Sequence, residues 1–180
     1  MIVMAITVVE NSIVIPEDVT LAIDGCTITV TGEKGSVTKD FTHARLNMER
    51  LDDSVRVWAV NPRKKQMSLV NTIVAHIKNM IKGVTEGFTY RMKIVFVHFP
   101  MTLRIEGNQI AIQNFTGERK PRDAKIVGNT KVHVDGEDII VEGIDLEEVA
   151  QTAANIQTAV KIRRKDRRKF LDGIYVYSKE

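Results

Sequence analysis

Apolar and polar residues alternate along TLAIDGCTITV, Thr20 to Val30, with Leu21 and Ile23 before an Asp-Gly pair and Ile28 and Val30 after it. A period of two marks a strand with one buried face. The acid-Gly pair between two such runs marks a tight hairpin turn, because a two-residue turn of this kind requires a positive φ that other residues reach only at a cost. Further strand signals lie at Val55 to Val60 and at Ile139 to Val141, and after each of them the period lengthens. Met67, Val70, Ile73, Val74, Ile77 and Ile81 form one stripe at helical spacing, with Asn61 and Pro62 predicted as cap and first helical residue and Gly83 as the stop. Leu146, Val149, Ala153, Ile156 and Val160 form a second stripe. Asp145 is its predicted cap, and Glu148 stands three residues later in the position of a capping box.

The hairpin occurs twice. TLRIEGNQIAI, Thr102 to Ile112, aligns without gaps on Thr20 to Val30, keeping Thr, Leu, Ile, an acid, Gly, Ile and a terminal β-branched residue at a constant offset of 82. The helical stripes obey the same offset, since Met67 corresponds to Val149 and Val74 to Ile156. The chain is therefore predicted to be α+β: two tandem duplicated domains, each an antiparallel sheet arrangement packed with one helix. The domains are expected at residues 1–82 and 83–180, joined near IKGVTEGF.

Composition keeps this picture and narrows it. Hydrophobic residues at 43% and charged residues at 27% are the balance of an ordinary soluble globular protein. No apolar run approaches the roughly 20 residues that cross a bilayer. The opening MIVMAITVVENS has neither a basic n-region nor a small-residue cleavage site, so a cytoplasmic protein with no membrane partner is expected. The single cysteine, Cys26, excludes an internal disulfide, fits a reducing compartment and is expected to be a small buried residue.

Charge changes the picture more. The chain carries a net +3, yet residues 161–180 hold eight Lys or Arg against three Asp or Glu, a net +5 that leaves the rest at −2. A concentrated basic segment on a near-neutral body points to a phosphate backbone as partner. The alternative is a solvated charged tail.

Catalytic chemistry finds little support. Neither G-x-x-x-x-G-K-[ST] nor G-x-G-x-x-G occurs, and GEKGS at Gly32 to Ser36 lacks the lysine and hydroxyl spacing of a phosphate cradle, so a loop is predicted there. His43, His76, His98 and His133 are scattered, without the neighbours that metal ligation requires, and are expected to be structural. Asp52-Asp53 and Glu147-Glu148 fit a turn and a helix start. No enzyme, metal, cofactor or small-molecule substrate is expected.

Three stretches carry a resemblance. HIKNMIKGVTEGFTYRMKIVFVHFP (His76 to Pro100), NFTGER (Asn114 to Arg119) and KDRRKFLDGIYV (Lys165 to Val176) resemble the large-subunit ribosomal protein L6 family in its archaeal and eukaryotic form. The similarity runs over essentially the whole chain, and the last stretch is the most specific, with Arg168, Phe170, Asp172-Gly173 and Tyr175 at fixed spacing. The resemblance implies two duplicated α+β domains and a non-enzymatic role in the large subunit. It also implies contact with large-subunit ribosomal RNA near the sarcin-ricin loop and stalk base. The second domain and the tail would make much of that contact, and the first domain would face neighbouring ribosomal proteins. KPRDAKIV after Arg119 is poorer in arginine than eukaryotic members, and the chain closes at Glu180 without their longer extension, which implies an archaeal source.

Lys161, Arg163, Arg164, Lys165, Arg167, Arg168 and Lys169, with Arg119 and Lys120, are therefore the candidate RNA-binding residues. Each cation can neutralise a phosphate and release condensed counterions, and guanidinium groups can bind phosphate in bidentate fashion. Specificity is expected from RNA shape and 2′-hydroxyls. Asp166 is expected to pair with a nearby arginine, and Phe170 to anchor in the core rather than stack on a base. Tyr175 and Tyr177 should share one strand face, with Ile174 and Val176 on the other. Arg63, Lys64 and Lys65 form a reserve basic cluster. The rival reading is a non-ribosomal protein-interaction module with a solubilising basic tail, which would bind a protein insensitively to salt and leave RNA alone.

Overall fold

The computed structural model describes residues 7–97, 99–163, 165, 166 and 168–180. Two compact units divide the chain, the first reaching Glu86 and the second starting at Gly87.

The first unit has six strands and then a helix: β1 (Val8–Val14), β2 (Thr20–Asp24), β3 (Thr27–Gly32), β4 (Gly35–Asp40), β5 (Asn47–Leu51), β6 (Ser54–Val60) and α1 (Lys64–Thr85). They form two antiparallel three-stranded sheets, in the orders β1-β6-β5 and β2-β3-β4. The alternation seen in the sequence sends Leu21, Ile28, Val30, Val55 and Val57 inward, where they are fully buried with Val70, Ile77 and Val84 of α1. Phe41 closes this core against His76, their ring centroids 6.0 Å apart.

The ends of α1 differ from expectation. Asn61 adopts a left-handed conformation (φ +47°) and exchanges hydrogen bonds with Thr7, donating its N–H to the Thr7 carbonyl and accepting the Thr7 N–H on Oδ1. It therefore ends the β1–β6 ladder instead of capping the helix. Arg63 takes the cap position, and the Gln66 side chain reaches back to accept its N–H at 3.0 Å. Arginine has no acceptor, so only this half of a capping box can form. Gly83 lies inside the helix, which runs on to Thr85, and Met67 is 42% exposed, so the buried stripe starts one turn later at Val70.

The second unit repeats the plan with β7 (Phe88–Val95), β8 (Thr102–Glu106), β9 (Gln109–Gln113), β10 (Arg122–Lys125), β11 (Lys131–Asp135), β12 (Asp138–Gly143) and α2 (Leu146–Ala159), then adds β13 (Gly173–Lys179). Its sheets are β10-β9-β8 and β11-β12-β7-β13, all antiparallel. Met92, Ile110, Ile112, Ile139, Val141, Val149, Ile156 and Ile174 fill a core of its own. The chain is thus an α+β duplication, each half built of antiparallel sheets and one helix.

The two copies agree well at their starts. Lys64 and Leu146, which open the helices, obey the same offset as the hairpins. In those hairpins Asp24 pairs with Thr27 and Glu106 with Gln109, so Gly25-Cys26 and Gly107-Asn108 are the turn residues and the acid remains in its strand. Cys26, expected to be buried, is accordingly only half-buried. Gly25 and Gly107 have φ of +60° and +59°, and a Cβ on either would meet nothing within 4 Å. The demand for glycine is one of backbone conformation alone.

At the start of α2 the Asp145 carboxylate accepts the Glu147 N–H at 2.9 Å, as a cap should. Glu148 does not return to Asp145 as a capping box requires. Its carboxylate accepts the Asn129 N–H at 3.1 Å and pins the loop after β10 to the helix.

Candidate nucleic-acid interface

The candidate basic residues lie where the second unit departs from the first. Glu33 and Lys34 alone join β3 to β4, which pair from Gly32 opposite Gly35. Residues 114–121 separate β9 from β10, and this stretch carries Arg119 and Lys120, both exposed. The second departure is at the helix end. α1 continues through Met80, Ile81 and Val84, all buried, whereas α2 stops at Ala159. In VKIRRKDR, residues 160–167, the only apolar side chains are Val160 and Ile162, whose spacing of two cannot line one helical face. A continued helix would also stack Lys161, Arg164, Lys165 and Arg168 at spacings of three and four, where like charges repel. The chain leaves the helix instead.

The segment that follows is pinned at both ends. Val160 and Ile162 are buried at its start. At its close Phe170 packs on the core cluster, and Asp172, 2% exposed, accepts the Val97 N–H at 3.1 Å. Lys161, Arg163, Lys165, Arg168 and Lys169 are exposed between these anchors, and Arg164 and Arg167 lie outside the described residues, as does His98. The Asp166 carboxylate accepts the Arg168 backbone N–H at 3.0 Å, and its carbonyl accepts those of Lys169 and Phe170. The carboxylate therefore shapes a turn in the backbone, while Arg164 and Arg167, the neighbouring arginines of the expected ion pair, lie outside the described residues. Lys165 Nζ lies 4.8 Å from the centroid of the Phe170 ring. Partly buried against the core and with a cation against its ring, Phe170 is an anchor. Tyr175 and Tyr177 share the outer face of β13 and are 45% and 58% exposed, while Ile174 is buried and Val176 packs on the core.

Arg122, which sequence reasoning left unmarked inside KPRDAKIV, joins the two basic stretches. Its Nε and Nη2 donate to the two oxygens of Glu118 at 2.8 and 2.6 Å, and its guanidinium lies over the Phe115 ring at 4.4 Å. Nη1 donates to the carbonyl of Ala159 at 2.9 Å and reaches that of Lys161 at 3.4 Å, satisfying carbonyls freed where α2 ends. The Arg122 hydrogen bonds hold the Glu118 carboxyl below the usual glutamate range, its burial opposes this, and the charges of Arg122 and Lys165 add to the lowering. Residues 118–122 and 159–165 thus meet around one ion pair. Arg163 shares a shallow groove there with Arg122, Lys125 and Asn155.

The backbone beneath is held in an uncommon shape. Asn114 (φ +60°), Thr116 (φ +50°) and Gly117 (φ +79°) are left-handed in close succession. For a β-branched threonine this conformation costs about 1–3 kcal/mol, and such strain tends to cluster at functional sites. The buried Phe115 ring, the Asn114 amide donating to the Pro100 carbonyl at 3.0 Å and the Arg122 clamp fix it.

Among the described residues no three His, Cys, Asp or Glu stand together as a metal site, and no described helix is long and apolar enough to cross a membrane. The family model for ribosomal protein L6 matches the chain twice, over residues 15–87 and 99–173, one match for each unit. This chain belongs to the ribosomal protein L6 family. It is 51% identical to the large ribosomal subunit protein uL6 of Aeropyrum pernix over 173 residues, 96% of this chain and 95% of that one. The uL6 protein of Archaeoglobus fulgidus is 47% identical, covering 94% of this chain and 89% of its own length, and that of Methanobrevibacter smithii is 45% identical, covering 96% and 97%. These relatives are archaeal, in line with the resemblance seen in the sequence. Members of the L6 family have a structural rather than an enzymatic role.

Proposed function

We propose that this chain is a structural constituent of the large ribosomal subunit in the cytoplasm. It holds large-subunit ribosomal RNA near the sarcin-ricin loop and stalk base through residues 161–169 together with Arg119 and Lys120. Its first unit then serves neighbouring ribosomal proteins. The observation that carries this reading is the Arg122 junction: one guanidinium ties the 114–121 loop to the start of the basic segment, so two separate cationic stretches form one face. Phosphate contacts from such a face position the protein on RNA, and groove shape and 2′-hydroxyls supply the specificity.

Salt tests it directly. Replacing Arg163, Arg164, Arg167 and Arg168 by Gln in the full chain is expected to weaken binding to large-subunit ribosomal RNA. The log-log salt slope should flatten by roughly 0.7 to 0.9 per contact removed. Circular dichroism should be unchanged, because no core residue is altered. Arg168→Lys keeps the charge and loses the planar fork, so affinity should drop while the slope stays nearly the same. Unchanged affinity and slope in the fourfold variant would make the segment a solvated tail and move the search to the 119–126 loop or to Arg63, Lys64 and Lys65.

A further inference from the structure

The loop between β7 and β8 corresponds to that between β1 and β2, and the two differ in how much apolar surface they show. In the first unit Ile15 and Val19 are both buried. In the second, Met101 at the position equivalent to Val19 is buried, but Val97, equivalent to Ile15, is 53% exposed, with Phe96 and Phe99 beside it at 37% and 42%. The positions of Phe96 and Phe99 correspond to Val14 and Glu17, which are exposed as well, so both units open these positions to solvent and only the second places rings there.

They are nonetheless held in place. The Val97 N–H is fixed by the buried Asp172, and the Pro100 carbonyl by the Asn114 amide. The Phe99 ring lies so close over Gly117 that a Cβ there would stand 3.1 Å from it. The aromatic loop is thus tied to both arms of the basic face, to NFTGER on one side and to the end of the basic segment on the other. Leu171 and Tyr175 are likewise exposed, at 55% and 45%, and the Tyr175 hydroxyl reaches the Leu171 carbonyl at 3.4 Å. Tyr175 also borders an open cavity of about 370 Å³ shared with Lys161, Ile162 and Phe170.

We propose that Phe96, Phe99 and Tyr175 hold unpaired bases of RNA, so that the chain recognises a looped or bulged element instead of uniform duplex. This rests on the RNA-binding reading above. Rings on a loop tied to the stretches that carry Arg119 and Lys120 and Arg168 and Lys169 match a strand that offers a base and a phosphate at each step. Stacking serves that partner because every base has a π-face, and stacking is the usual way proteins hold unstacked bases. Phe170 is excluded from the role, since Lys165 covers its ring.

Two probes separate this idea from the reading beneath it: a short RNA duplex, and the same duplex with an unpaired bulge of adenines carrying 2-aminopurine. The full chain is expected to prefer the bulged probe by about tenfold per stacked base, and the 2-aminopurine emission should be quenched on binding. Phe96→Leu with Phe99→Leu should remove most of the preference and quenching while leaving duplex affinity and salt slope intact, and Phe99→Tyr should retain both. Tyr175→Leu should reduce the preference in part. Equal affinity for the two probes, or a preference that survives the leucine pair, overturns the stacking proposal and leaves the basic face standing. Equal affinity is also the outcome expected of a ledge that docks a protein. If neither probe binds at low salt, the basic-face reading fails and takes this one with it.

Discussion

The two units of this chain share a plan and a core, and they differ at two places that sit together in only one of them. In the first unit Glu33 and Lys34 turn directly from β3 to β4. Lys34 donates its N–H to the Val84 carbonyl at 3.0 Å and its ammonium to the Glu86 carbonyl, so the turn closes the end of α1. In the second unit the corresponding connection is the 114–121 loop, and Arg122 performs the same service for α2. The problem solved is identical: carbonyls at a helix end need donors. The longer connection and the earlier helix stop, however, let the second unit carry seven cations past the helix and two more in the loop. A duplicated scaffold has kept its core in both copies, and the added chemistry lies where the repeat is broken.

The largest test of this comparison asks whether each unit depends on its own core. Ile77 and Ile156 are fully buried on α1 and α2. Ile77→Asp and Ile156→Asp should each cost about 4 kcal/mol or more, as an unpaired carboxylate is forced into an apolar interior. Hydrogen exchange should show protection lost up to Glu86 in the first variant and from Gly87 in the second. Loss of protection throughout the chain in either variant would end the picture of two independent halves. Trp58, the only tryptophan, lies on β6 and gives a fluorescence signal for the first unit alone.

A middle-sized effect sharpens the difference between the helix ends. Arg122→Ala should destabilise the second unit by about 2 kcal/mol, through loss of charge-assisted hydrogen bonds to Glu118 and the Ala159 carbonyl. The first unit should be untouched. The same variant should change the acid response. Glu118 has its folded pKa lowered chiefly by the Arg122 hydrogen bonds, so it contributes stability above the ordinary glutamate range and loses it as pH falls through the lowered value. Without Arg122 that part of the acid slope should vanish. A slope equal to that of the unaltered chain would show that the pair does not couple to folding.

The smallest effect tests the likeness. Gly25→Ala and Gly107→Ala should each cost about 1 kcal/mol, because alanine strains at φ near +60° while open space surrounds both positions. Thermal melts followed at Trp58 for the first and by amide exchange for the second should show similar penalties. Markedly unequal penalties would show that the two hairpins are not equivalent parts.

These residues also mark how far the sequence could be read. Alternation and the offset of 82 revealed both hairpins, the start of the second helix and most of the buried stripes, because each is a local signal of period or turn chemistry. Asn61 misled, since an Asn-Pro pair fits a helix cap as well as it fits the end of a strand, and its bonds to Thr7 lie across the sheet. Gly83 misled because a glycine packed within a helix looks the same in sequence as one that ends it. The cations at 161–169 were plain from charge, and KDRRKFLDGIYV carried the family resemblance. Arg122 could not be found that way. Its partners are the nearby Glu118 and the distant carbonyls of Ala159 and Lys161, and no spacing rule links an arginine to a helix end in another part of the chain. The exposed Phe96 and Phe99 were equally hidden, because apolar residues read as core until the fold shows which way they face.

Strand β13 has a consequence for the order in which the protein takes shape. Val95 pairs with Gly173 and Tyr90 with Lys179, so the first strand of the second unit waits for the last. The first unit has made all its strands by Val60 and its helix by Thr85. At typical synthesis rates of about 5–20 residues per second, the second unit finishes roughly 5 to 20 seconds after the first. During that interval β7 presents an unpaired edge, and Met92 and Ile94 lack the cover of Ile174 and Val176. An open edge of this kind is a risk for mispairing. The basic segment emerges from the ribosome just before the strand that ends it, and it is pinned down only when Ile174 is buried. The proposed RNA-binding surface is therefore completed only after the rest of the second unit's core is in place.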